Sequence, residues 1–192
     1  DFPFYHKIIP IIYNGIAEKK QFKFEGIKEG KINILFAGRI VEQKGISVLS
    51  AVINKLNTHI NTFYFHIVGE GHLKEDLVKE LGFFENVHFY GNVYNLAQYL
   101  HSFDFLFMPS VHEGLSMLSI ESSFAKLPVI INSCEGLVDT VPNAWPLKVK
   151  DNNVDDFVEV FNNIKNLDRK VLAESAYQFV SNRFGIEQMQ NQ

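Results

Sequence analysis

Two glutamates, Glu113 and Glu121, stand eight positions apart in the stretch HEGLSMLSIE (112–121), with Gly114 directly after the first and a mostly apolar run between them. A carboxylate can accept hydrogen bonds from hydroxyls, or act as acid or base on a bond held beside it. Spacing helps to separate these uses. If most of the intervening segment is helical, it spans about 12 Å. The paired carboxylates of glycoside hydrolysis flank a single bond at about 5 to 9.5 Å. Glu113 and Glu121 therefore suit the two ends of one long ligand better than the two sides of one bond. Each also has a simpler use: an acid before a helix is stabilised by the helix dipole, and Glu121 can be a solvated helix face.

A second constellation lies in GRIVEQKG (38–45), where Arg39 and Lys44 stand at the two sides of a loop. Gly38 permits a tight turn, and the helix that follows presents free backbone N–H groups. An Arg fork and a Lys point charge converging there could neutralise a diphosphate. Taken alone, the pair is equally compatible with two solvated cations. The loop is neither G-x-x-x-x-G-K-[ST] nor G-x-G-x-x-G, which argues against a P-loop and against a dinucleotide dehydrogenase. VGEG (68–71), with Gly69, and GNVYN (91–95), with Asn92 and Val93, are glycine turns whose meaning depends on their neighbours. His112 is a lone histidine, more often structural than catalytic. Together these residues fit a nucleoside-diphosphate sugar: one carboxylate for sugar hydroxyls, the other for ribose hydroxyls, and a helix N-terminus with two cations for the diphosphate.

Elements that could position them follow from periodicity. NILFAG (33–38), FYFHIVG (63–69), NVHFYG (86–91), FDFLFMPS (103–110) and PVIINS (128–133) are short apolar runs of strand type. Between and after them, 44–56, 72–81, 115–126, 154–164 and 168–184 carry apolar residues at helical spacing, and NLAQYLHS suggests a short helix. Strands alternating with helices imply βαβ units, right-handed crossovers and a mostly parallel Rossmann-like sheet with helices on both faces. In such a sheet ligands bind beyond the carboxyl ends of the strands, which directs attention to the loops after Ala37, Val68, Tyr90 and Pro109. Ahead of this alternation, KIIPIIYNG (7–15) is a β-like run with an Asn14-Gly15 turn, and the charged, glycine-punctuated segment 18–31 reads as a linker.

The 192-residue chain suits one α/β domain, or one domain with extra pieces, and its 46% hydrophobic and 21% charged content is that of a globular protein. A net charge of −4 argues against a nucleic-acid partner. The single cysteine, Cys134, excludes an internal disulfide and favours a reducing compartment. No apolar run reaches membrane-spanning length, and the acidic start DFPFYHK does not resemble a signal peptide. A cytoplasmic protein is expected, compatible with peripheral association of the full-length protein with the inner face of a membrane.

The ordered set NGI (14–16), AGRIVEQKG (37–45), VGEG (68–71), VHFYGNV (87–93), MPSVHEGLSMLSIE (108–121), LPVI (127–130) and EGLVD (135–139) resembles the carboxyl-terminal domain of GT-B-fold glycosyltransferases of retaining family 4, the glycosyl transferases group 1 domain. The resemblance covers nearly the whole chain, and the Glu-x7-Glu element is its most specific part. It implies that Arg39 and Lys44 meet the donor diphosphate. Glu113 would lie at the donor sugar and Glu121 at the ribose, while Gly38, Gly69, Asn92 and Val93 belong to the donor site and the GNV turn lies near the base. Backbone amides of Gly114, Leu115, Ser116 and Met117 would hold sugar and phosphate oxygens.

The resemblance further implies transfer with retention and without a metal, in keeping with the lack of a D-x-D motif. Residues 1–31 would be a leading segment and interdomain linker, and 32–192 the nucleotide-sugar-binding half. A glycan, lipid-linked or protein acceptor would bind an amino-terminal domain absent from this chain, so the isolated half is expected to bind a nucleoside diphosphate but to transfer poorly. Catalysis from this half would rest on Glu113, Arg39 and Lys44; a non-catalytic nucleotide-binding or interaction module is the alternative. The chain departs from the family at Lys126, where glycine is usual before x-P-V, and in EGLVD, where a glycine pair and a glutamate are common. Lys126 must either end its helix without a left-handed residue or adopt that conformation itself.

Overall fold

The computed structural model describes residues 20–57 and 62–185. The run at 7–15 and the NGI element therefore lie outside the described residues. Six strands, β1 (Ile32–Ala37), β2 (Phe63–Val68), β3 (Val87–Tyr90), β4 (Phe105–Met108), β5 (Val129–Asn132) and β6 (Lys148–Val149), form one sheet in the order β3-β2-β1-β4-β5-β6, with every pairing parallel. Their sequences are nearly continuous apolar runs because helices cover both faces of the sheet. On one face Phe63, Phe65 and Phe107 surround Phe161 of α4 (Val154–Asn163), beside α1 (Ile46–Asn57) and α2 (Lys74–Leu81). Elsewhere α3 (Met117–Phe124) packs against α5 (Arg169–Phe184).

Three local features differ from the sequence reading. The short helix in NLAQYLHS is instead two 3-10 turns, Leu96–Gln98 and Leu100–Ser102. Asn95 enters the first in a left-handed conformation, and the Tyr99, Ser102 and Phe103 N–H groups bond back only three residues. The edge strand β6 escapes notice because two residues carry no period. Within the charged segment at 20–31, Phe24 is buried against Phe103 and Tyr90, so this part joins the core despite its loop-like composition.

A polar network ties the same region to the sheet. His66 is fully buried, with Nε2 3.0 Å from Asn33 Oδ1 and Nδ1 3.2 Å from the Tyr90 hydroxyl. Asn33 Nδ2 donates to the carbonyls of Lys28 and Lys31, which fixes Oδ1 as the acceptor. The His66 proton therefore sits on Nε2, and Nδ1 accepts from Tyr90. Burial, with the nearby charge of His88 adding, pushes His66 down to about 4; burial and Tyr64 push the Tyr90 hydroxyl up to about 12.

The strand order reverses at β1, which lies between β2 and β4. Connections leave its two sides in opposite directions and open a crevice at the carboxyl ends of β1 and β4.

Candidate functional site

The loops after β1 and β4 meet across this crevice. Lys44 Nζ lies 2.6 Å from Glu113 Oε1, and Ser110 Oγ donates to the same oxygen at 2.8 Å. Glu113 is 8% exposed, so its charge is held by two donors rather than by water. Its second oxygen, Oε2, takes no hydrogen bond from the described residues. Gln43 joins the loops again: its carbonyl accepts from Val111 N–H (2.9 Å), its amide donates to His112 O (3.1 Å), and its Oε1 accepts from Arg39 Nη2 (3.4 Å). Lys44 closes a 3-10 turn, Glu42–Lys44, so the helix expected from residue 44 begins at Ile46. Gly45 follows with φ 69°, and a Cβ there would lie 1.8 Å from Pro109 O. Only glycine permits that approach.

The helix N-terminus is only partly as expected. Ser116 caps α3, its Oγ accepting from Ser119 N–H at 3.4 Å, while its own N–H donates to Gly136 O. The Ser116 amide is thus already engaged, whereas among the described residues no acceptor takes the N–H of Met117 or Leu118. Gly114 is exposed, and the Leu115 side chain turns away to pack with Ile120, Val180 and Phe184. Because α3 starts at Met117, the first residues after Glu113 form a turn, and helix covers only the second part of the Glu113–Glu121 interval. Glu121 is half-buried, three residues beyond Leu118 and hence on the same face of α3.

The EGLVD loop, whose role the sequence left open, supports this turn. Gly136 has φ 80°, and a Cβ there would sit 1.4 Å from Gly114 O. Thr140 Oγ1 lies 2.6 Å from Ser119 Oγ, both fully buried, and Asp139 faces Arg183 of α5 at 3.7 Å. Cys134 starts the loop; burial and the charge of Glu113 push its thiol up, so it remains protonated.

Beside the crevice, a cavity of about 260 Å³ is lined by Gly38, Arg39, Gly69, Asn92 and Val93, together with Glu70, Leu96 and Leu118. Five residues singled out from separate loops thus share one concave surface. Lys44 and Glu113 do not line it and lie in the adjoining crevice. Sequence reasoning overlooked Gln43, Ser110 and Leu118. Gln43 stands between the two chosen cations and Leu118 one turn before Glu121, so proximity alone could have drawn attention to both. His112 is exposed and is held through its carbonyl. Among the described residues, no three His, Cys, Asp or Glu side chains converge so as to hold a metal ion, and no helix is long and apolar enough to cross a membrane.

Comparison with known proteins adds to this geometry. The family model described as glycosyl transferases group 1 matches residues 17–179. The chain is 31% identical over 144 residues to the O-antigen biosynthesis glycosyltransferase WbnH of Escherichia coli, covering 65% of this chain and 41% of that protein. It spans about half the length of the curated relatives it matches. Among solved structures, a point mutant of S. aureus TarM in complex with fondaparinux, alpha-GlcNAc-glycerol and UDP superposes with a TM-score of 0.76 at 21% identity, over 95% of this chain and 36% of TarM. Anabaena HepE in complex with UDP-glucose gives 0.72 at 17% identity, over 84% of this chain and 47% of HepE. At these identities the two structures share its fold.

Proposed function

Because the chain belongs to the glycosyl transferases group 1 family, we propose that it is the donor-binding, carboxyl-terminal half of a GT-B glycosyltransferase that moves a sugar, with retention, from a nucleoside diphosphate to an acceptor hydroxyl. The acceptor, a glycan, lipid-linked or protein hydroxyl, is held by the amino-terminal half. O-antigen biosynthesis by WbnH makes bacterial glycan or glycoconjugate synthesis the setting to test first. The observation that carries the reading is the convergence at one end of the sheet of the Lys44–Glu113 pair, Arg39, the untaken amides of Met117 and Leu118, and the cavity beside them.

In this reading the base enters the cavity near Asn92 and Val93, and Glu121 accepts from the ribose hydroxyls. Arg39, Lys44 and the free amides of α3 meet the charge that builds on the departing diphosphate, so that no divalent ion is needed. Such groups act at the transition state because they are already oriented before the bond breaks. Glu113, its Oε1 fixed by Lys44 and Ser110, offers Oε2 to a sugar hydroxyl. The acceptor oxygen then bonds to the anomeric carbon on the face that the diphosphate leaves, as the bond to the diphosphate oxygen breaks and that oxygen takes the hydroxyl proton.

Titration calorimetry with UDP, GDP and ADP, with and without chelator, tests the donor site. Binding of at least one, indifferent to chelator, is expected; binding of none overturns the donor-site assignment, and loss on chelation overturns the metal-free one. A full-length protein that binds a donor but neither transfers nor hydrolyses it would identify a non-catalytic module instead.

A further inference from the structure

Glu113 is held from below as well as from the side. Asn132, the last residue of β5, is buried; its Nδ2 donates to Ser110 O (2.9 Å) and its Oδ1 accepts from the Asn152 backbone N–H (2.9 Å). Asn152 Nδ2 in turn donates to Pro109 O (2.7 Å). Two side-chain amides, one at the end of β5 and one in the turn after β6, thus hold consecutive carbonyls in the turn that leads to Glu113, and Ser110 passes the restraint on through its hydroxyl to Glu113 Oε1.

This arrangement is kept against local preference. Asp151 and Asn152 are both left-handed, each with φ 54°, and Asn152 Oδ1 is buried without a partner among the described residues. Each feature disfavours the folded state. Backbone strain that persists beside a candidate site points to a demand for position there. Here the demand is identifiable: a shift of the Pro109–Ser110 turn disrupts the hydrogen bonds from both side-chain amides, and a displacement of about 1 Å at a reacting group can cost ~100-fold in rate.

We propose that Asn132 and Asn152 are positioning residues that act through Ser110 to set the Glu113 carboxylate against the donor sugar. The proposal rests on reading Glu113 as the group at that sugar. It is tested in the full-length protein with Asn152→Gly, which keeps the left-handed backbone while removing the amide, and with Asn132→Ala, each alone and combined with Glu113→Gln. Transfer kinetics, affinity for UDP, GDP and ADP, and Tm are measured for each.

The expected result is a fall of about tenfold in kcat, with donor KM and diphosphate affinity within about twofold. Asn152→Gly should keep or raise Tm, and neither change should lower kcat further once Glu113 is Gln. Wild-type kcat in the asparagine variants, effects that multiply with that of Glu113→Gln, or a joint fall of diphosphate affinity, Tm and kcat would each overturn the positioning role alone. Wild-type kcat in Glu113→Gln by itself would overturn the placement of Glu113 at the donor sugar and this proposal together, while leaving the donor-binding reading, which the calorimetry tests, in place.

Discussion

The Lys44 ammonium lies 2.6 Å from Glu113 Oε1, joining the loop after β1 to the loop after β4, with side-chain exposures of only 19% and 10%. Without a donor, one of the two cations assigned to the diphosphate is therefore already neutralised. Glu113→Gln should leave affinity for the bare diphosphate unchanged or raise it a few-fold, because Lys44 no longer divides its charge. Transfer by the full-length protein should fall about tenfold to a hundredfold, the loss of one charged hydrogen bond of roughly 1.5–3 kcal/mol. Calorimetry and steady-state kinetics on the same preparation check both halves, and weaker diphosphate binding would count against placing Glu113 at the sugar.

Glu121 should fail differently. It is assigned to the ribose, which donor and product nucleotide share. Glu121→Gln should weaken binding of the bare diphosphate and of the full donor alike, by about tenfold or more. Parallel titrations with the two ligands decide it; a change confined to the full donor would mean that the two ends have been assigned the wrong way round.

Lys126 takes the left-handed alternative, with φ 56° directly after Ala125, the C-cap of α3, at the position where the family resemblance leads to the expectation of glycine. Its ammonium lies 2.7 Å from Glu174 and 5.0 Å from the centroid of the Tyr177 ring. Lys126→Gly relieves the backbone and Lys126→Ala does not, while both remove these contacts. The glycine variant should therefore be more stable than the alanine variant by about 1 kcal/mol. Urea unfolding of the pair measures the difference directly, and equal stabilities would show that the left-handed backbone is not strained.

His66 should make stability depend on pH. Its folded-state value of about 4 lies below the ordinary 6.5, so the unfolded chain binds the proton more readily. The stability tied to its neutral form is fully present above pH 6.5 and is lost as pH falls toward 4. At most this amounts to about 3 kcal/mol. Urea titrations at pH 7, 5.5 and 4.5 should show the decline, and His66→Gln should flatten its slope over that window. An unchanged slope would mean that other groups govern acid unfolding.

Local order alone determined much of this protein. The apolar runs that become β1, β2, β4 and β5, and the helical spacing of α1 to α5, are patterns between near neighbours, and burial on both faces of a parallel sheet reinforces them. Residue type, spacing and the family resemblance together singled out Arg39, Lys44, Glu113 and Glu121, since a cation pair or a carboxylate alone is equally at home on a solvated surface. Tertiary structure decided what these groups touch. Lys44 reaches Glu113 across 69 positions, and Asn132 reaches Ser110 across 22, because β1, β4 and β5 lie side by side in register. Gly136 acquires its role only when the Gly114 carbonyl stands where a side chain would be. The two conformations open to Lys126 were likewise resolved only once the chain had to leave α3 for β5. Periodicity is a property of the chain read in order, whereas the strand order that brings distant loops together depends on which apolar faces cover one another, and no single segment carries that choice.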